Sequence, residues 1–123
     1  MFRVSCIQLK SNNNIQSNFI KTERLIKKAI SQKTDFILTP EVSSLFSLNK
    51  KKLLEQCTSM NKDEYLIGIK RLAKKHKKWI LIGSLVIKTG KKKLVNRSVL
   101  INSKGKIHSY YDKIHMYDVI LSK

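Results

Sequence analysis

A chain of 123 residues is about one domain or a piece of one, and a compact domain of this size buries roughly two-thirds of its unfolded-chain surface. Hydrophobic residues make up 41% of it, ordinary for a globular protein, which argues against disorder. The formal net charge of +18 invites a nucleic-acid or anionic-membrane partner, but 22 of the 26 basic residues are lysine, whereas bidentate phosphate recognition favours arginine.

Isoleucine and asparagine are abundant beside the lysine, the pattern of A/T-rich coding DNA. The aromatic residues form no stacking ladder for single strands. The lysine excess therefore reads as a solvated surface, with no specific nucleic acid and no membrane among the expected partners. Cys6 and Cys57 have neither CxxC nor metal-ligand spacing, so no metal is expected. No long apolar run opens the chain, and its apolar stretches are too short to span a bilayer. The expectation is a soluble cytoplasmic protein with reduced thiols.

In chain order, residues 2–9 (FRVSCIQL) suit a buried strand, with Cys6 buried and inert in its middle. The polar run 11–14 can cap a helix, whose apolar positions are Ile15, Phe19, Ile26, Ala29 and Ile30. Residues 35–39 (DFILT) make a short strand ended by Pro40. A loop over 41–49 holds the apolar pair Leu45 and Phe46, and 50–57 fits a short helix. Asn61 to Glu64 resembles a capping box, with Asn61 as the cap, opening a helix with Tyr65, Leu66, Ile69, Leu72 and Ala73 on one face. Lys74, Lys75, Lys77 and Lys78 close that helix, opposing its C-terminal partial charge. Residues 79–87 (WILIGSLVI) are a strand, 89–93 a hairpin turn, 94–102 the returning strand, and 106–111 a third strand of a meander. The order β-α-β-(α)-α-β-β-β predicts an α/β fold with a mixed sheet. The apolar run 114–121 stops without a capped helix or closed sheet behind it, so the chain reads as unfinished.

Glu41 is conspicuous because the other three glutamates, Glu23, Glu55 and Glu64, fit helix surfaces or a cap. It follows the carboxyl end of a strand, where open α/β sheets gather catalytic groups. In apolar surroundings its pKa would be raised, suiting a general acid or base. A loop glutamate paired with one of the many lysines fits the same position. Lys113, at the end of the last strand, can act as a fixed positive charge for an oxyanion, but nothing local separates it from the other lysines. Asn96 lies in an apolar strand, where it either fixes a neighbouring loop or pairs with backbone. Cys57, close to Lys50, Lys51 and Lys52, could have a lowered pKa but lacks a local histidine partner; both cysteines read as structural. His115 is a weaker candidate.

Taken together, FRVSCIQLKSNNNIQSNFIKTERLIKKA, DFILTPEVSSLF, WILIGSLVI, LVNRSVLINSKGKI and YYDKIHMYDV resemble, in order, segments of the nitrilase superfamily of carbon–nitrogen hydrolases. The resemblance covers essentially the whole chain. It implies the N-terminal portion, residues 1–123, of a single hydrolase domain: part of a nitrilase-type αββα sandwich, with helices on one face of the sheet. It implies Glu41 as general base and Lys113 as oxyanion stabiliser, completed by a cysteine nucleophile that lies beyond Lys123 in the family. Neither Cys6 nor Cys57 occupies the matching position. No metal or organic cofactor is implied. The implied substrate is a small amide or nitrile, with a lean to the amidase-like branch, and the implied assembly a homodimer at full length. The chain alone is then expected to be inactive and to carry an uncovered sheet face and a raw edge. A catalytically inactive half-domain or a lysine-rich interaction or nucleic-acid-binding module stands as the alternative.

Overall fold

A computed structural model describes residues 1–114, so His115 and nearly all of the 114–121 run lie outside the described residues. Its elements follow the predicted order: β1 (Val4–Cys6), α1 (Ile15–Ser31), β2 (Phe36–Thr39), α2 (Lys50–Gln56), α3 (Glu64–His76), β3 (Trp79–Lys88), β4 (Leu94–Ile101) and β5 (Ile107–Asp112). The strands form one sheet in the order β1-β2-β3-β4-β5. β1, β2 and β3 pair in parallel, as helical connections require, and β3-β4-β5 is an antiparallel meander.

Local chemistry sets the helix ends. Asn14 caps α1 by accepting from the Ser17 amide. The cap of α3 is Asp63, not Asn61: Asp63 accepts from Leu66 N–H at 2.7 Å, while Asn61 is taken by the Ser59 hydroxyl. Burial pushes the Asp63 carboxyl above its usual range, against the lowering effect of that amide. α3 ends at Lys77 in the left-handed region, with Lys74, Lys75 and His76 in the last turn as helix electrostatics favour.

α1 and α3 share one face of the sheet. Ile26 and Ala29 of α1 and Tyr65, Leu66, Ile69, Leu72 and Ala73 of α3 meet Ile37, Ile80, Ile82, Leu85, Ile87, Val99 and Ile101 from the strands. Each of the leucine, isoleucine and valine side chains among them, once buried, contributes about 1.5–3 kcal/mol. The α1 stripe also contains two polar residues that apolar periodicity passes over. Thr22 and Asn18, one and two turns before Ile26, are fully buried. The Thr22 hydroxyl lies 2.8 Å from the Tyr65 hydroxyl and donates to Asn18 O.

Leu38, Leu81, Val86 and Leu100 alternate with the core positions and so point to the opposite face, where they are half-buried. That is the apolar face expected to lie bare. Residues 2–9 depart from expectation. Only Val4–Cys6 forms a strand, at the sheet edge, and Cys6 is exposed rather than buried. An edge strand is paired on one side only; Ile7, not Cys6, is the residue that reaches the core.

Candidate active site

Three side chains predicted from sequence come together at one point on that opposite face. Lys113 Nζ donates to Glu41 Oε1 at 2.8 Å, and Asn96 Nδ2 donates to the same oxygen at 3.0 Å. They arrive from three places: the turn after β2, the middle of β4 and the residue after β5. Pro40, Gly83, Ser98 and Tyr111 help enclose an open cavity of about 380 Å³ around them. The Asn96 Oδ1 atom is buried and, among the described residues, has no hydrogen-bond partner.

The electrostatics correct one expectation. The Glu41 carboxyl is held below its usual range, not raised, chiefly by the hydrogen bond from Lys113. Slight burial pushes the other way, and the Lys113 charge and Asn96 add to the lowering. Glu41 is largely exposed, its side chain 57% accessible, so desolvation is weak and pairing wins. At neutral pH it is a carboxylate, able to accept a proton.

Backbone and polar contacts hold each member. The Lys113 amide donates to Asn96 O at 2.8 Å, extending the β4-β5 ladder by one residue. The preceding Asp112 makes a two-pronged ion pair with Arg97, at 2.5 and 2.8 Å, which keeps its carboxyl below the usual range. Arg97 also stacks over Tyr110, 4.2 Å from the ring centre. Sequence reasoning missed the Arg97–Asp112 pair, although the opposite charges flank Asn96 and Lys113.

Glu41 stands on a turn jammed against β3. A Cβ on Gly83 would lie 2.3 Å from Thr39 O, so only glycine admits this approach. The loop that follows is pinned to the start of α1. Asn18 donates to Asn12 O and Ser44 O, and Phe46 N–H to Asn12 O. Of the apolar pair in that loop, Leu45 is buried and Phe46 half-exposed.

Neither cysteine joins the site. Cys57 ends α2 in a buried position, and its thiol is pushed up to about 11 by burial first and Asp63 second, with Lys88 opposing. The expected influence of Lys50, Lys51 and Lys52 is absent because those residues point to solvent or a separate groove. Among the described residues no three His, Cys, Asp or Glu side chains converge to hold a metal ion. No helix there is long and apolar enough to cross a membrane.

The carbon-nitrogen hydrolase family profile matches residues 3–122. The deaminated glutathione amidase of Yersinia enterocolitica is 28% identical over 118 residues, covering 94% of this chain and 41% of that protein. The protein of the same name from Dictyostelium discoideum is 30% identical over 127 residues, covering 95% and 42%. The crystal structure of the Caenorhabditis elegans NitFhit protein superposes with a TM-score of 0.85 at 26% identity, covering 98% of this chain and 31% of that one. The chain thus spans less than half the length of these relatives.

Proposed function

Because the chain belongs to the carbon-nitrogen hydrolase family, we propose that it is the N-terminal portion, residues 1–123, of one domain that hydrolyses a carbon–nitrogen bond of a small amide through a Glu-Lys-Cys triad, of which it carries Glu41 and Lys113. The observation that supports the reading is the contact of Lys113 Nζ and Asn96 Nδ2 with one oxygen of Glu41, at the carboxyl end of parallel strand β2.

In this reading a cysteine thiolate outside residues 1–123 attacks the amide carbon. The carbonyl π electrons move to oxygen, giving a tetrahedral oxyanion that the Lys113 ammonium faces as a fixed charge. The C–N bond breaks as the oxyanion collapses to a thioester, and Glu41 passes the thiol proton to the departing amine. Glu41 then takes a proton from water, whose oxygen attacks the thioester; the acid leaves and the thiol is restored. Asn96 holds the Glu41 carboxylate during both transfers. Every step is an acid–base or acyl-transfer step, and none draws on a metal or organic cofactor. The amidase names of the relatives favour an amide over a nitrile substrate. Two unpaired cysteines accord with a cytoplasmic setting, and a homodimer is the assembly in keeping with the family.

Reading the coding DNA past Lys123 tests the proposal. A frame that continues to a cysteine in a strand-to-helix turn supports it. A stop codon there overturns it for this polypeptide and leaves Glu41–Lys113 as an ion pair of a non-catalytic module.

A further inference from the structure

Glu41 is aimed by a turn that β3 holds in place. Val42, next in the chain, has φ of 52°, in the left-handed region that a β-branched side chain avoids. Such a conformation persists only where neighbouring groups over-determine it. Thr39 and Ser11 also bond Ser43, but three of those groups belong to one residue. Ser84 Oγ accepts from Val42 N–H at 2.7 Å. Its carbonyl accepts from Ser43 N–H at 3.1 Å, and its own N–H donates to Pro40 O at 3.3 Å. All four residues from Pro40 to Ser43 are thereby bracketed, with Glu41 between two anchored neighbours.

Ser84 reaches that position because β3 slips register between Ile82 and Leu85. The irregularity places Ser84 and Leu85 in successive buried positions, where regular alternation would expose one of them. Ser84 is 4% exposed. The glycine before it lets the strand approach the turn closely enough for these bonds.

We propose that Ser84 is a positioning residue for Glu41: its hydroxyl holds Val42 in the left-handed region and so keeps the Glu41 carboxylate against Lys113. The role rests on reading Glu41 as the base, but its test follows where the carboxylate sits, not whether it catalyses. The two readings can therefore fail separately.

The measurement is a carbon-13 NMR titration of the Glu41 carboxyl in the full chain. The unsubstituted protein should titrate below the ordinary glutamate range. In Ser84→Ala the midpoint should rise into that range as the contact with Lys113 loosens. Ser84→Thr, which keeps the hydroxyl, should retain the low midpoint. Adding Val42→Asn to Ser84→Ala should recover part of the lowering, because asparagine tolerates the left-handed region. A folded Ser84→Ala protein with an unchanged midpoint overturns the proposal. Should that variant fail to fold, amide exchange in the unsubstituted protein decides. The Val42 N–H should exchange at least about tenfold more slowly than that of exposed Leu48, and equal rates overturn the proposal. Full activity in Glu41→Gln would instead sink the catalytic reading and leave this one standing.

Discussion

Lys113 Nζ and Glu41 Oε1 lie 2.8 Å apart although 72 positions separate the residues in the chain. The pair is a carboxylate and an ammonium on one sheet face, open to solvent on the side away from the helices. Its chemical use depends on both groups staying charged and in register.

Removing either group from a catalytically active form of the protein should nearly abolish amide hydrolysis. Glu41→Gln keeps the shape but cannot take a proton, and should lower kcat/KM by about 10²–10⁴-fold. Lys113→Ala removes the fixed charge and should lower kcat by about 10²–10³-fold. Ammonia release from a small amide is the assay. Unchanged kcat/KM in either variant would contradict the role assigned to that residue.

The acid limb of the pH profile should lie below the ordinary glutamate pKa. A carboxyl whose folded-state pKa is depressed contributes stability above its unfolded value and loses it as pH falls through the lowered one. Glu41 is such a group, with Lys113 the largest cause. In Lys113→Ala the Glu41 midpoint should therefore rise, measured by the same NMR titration. A midpoint that stays put would show that pairing is not what lowers it.

Asp112→Asn should cost about 1 kcal/mol, the upper end for an ion pair exposed on one side. The Asp112 side chain is 39% exposed and Arg97 only 11%, so most of the loss falls on the stranded guanidinium. Because the Asp112 pKa is also depressed by Arg97, its contribution is lost as pH falls below the usual carboxylate range. Urea unfolding at neutral and acidic pH checks both parts: the gap between the proteins should narrow in acid.

A thiol reagent should label one cysteine of the folded protein. Cys6 is exposed, whereas Cys57 is buried with its thiol pushed up to about 11. Mass spectrometry after brief labelling at neutral pH should find the reagent on Cys6, and on Cys57 only after denaturation. Fast labelling of Cys57 would mean that the end of α2 opens readily.

Gly83→Ala should destabilise the fold by about 1–3 kcal/mol through overpacking, since its Cβ would press on Thr39 O and the Pro40 carbonyl. Thermal unfolding measures the loss, and a wild-type Tm would show that the turn can retreat from β3.

By itself the sequence determined the element order, the apolar face of α3, and the prominence of Glu41. Those follow from local rules: apolar period, turn residues, and a carboxylate in an acid-poor chain at the end of a strand. It could not place Lys113, one lysine among 22, except through the resemblance to a known family. Tertiary structure decided what local rules cannot reach. It moved the α3 cap from Asn61 to Asp63, since both residue types cap and only packing chooses between them. It put Cys6 on an open edge, because strand order across a sheet is not encoded in the strand's own residues. It lowered the Glu41 pKa where apolar flanks suggested a rise, because Lys113 and Asn96 arrive from more than 50 positions away in the chain. And it buried Ser84 beside a strained Val42, a contact made by a slipped register that alternation in sequence does not reveal.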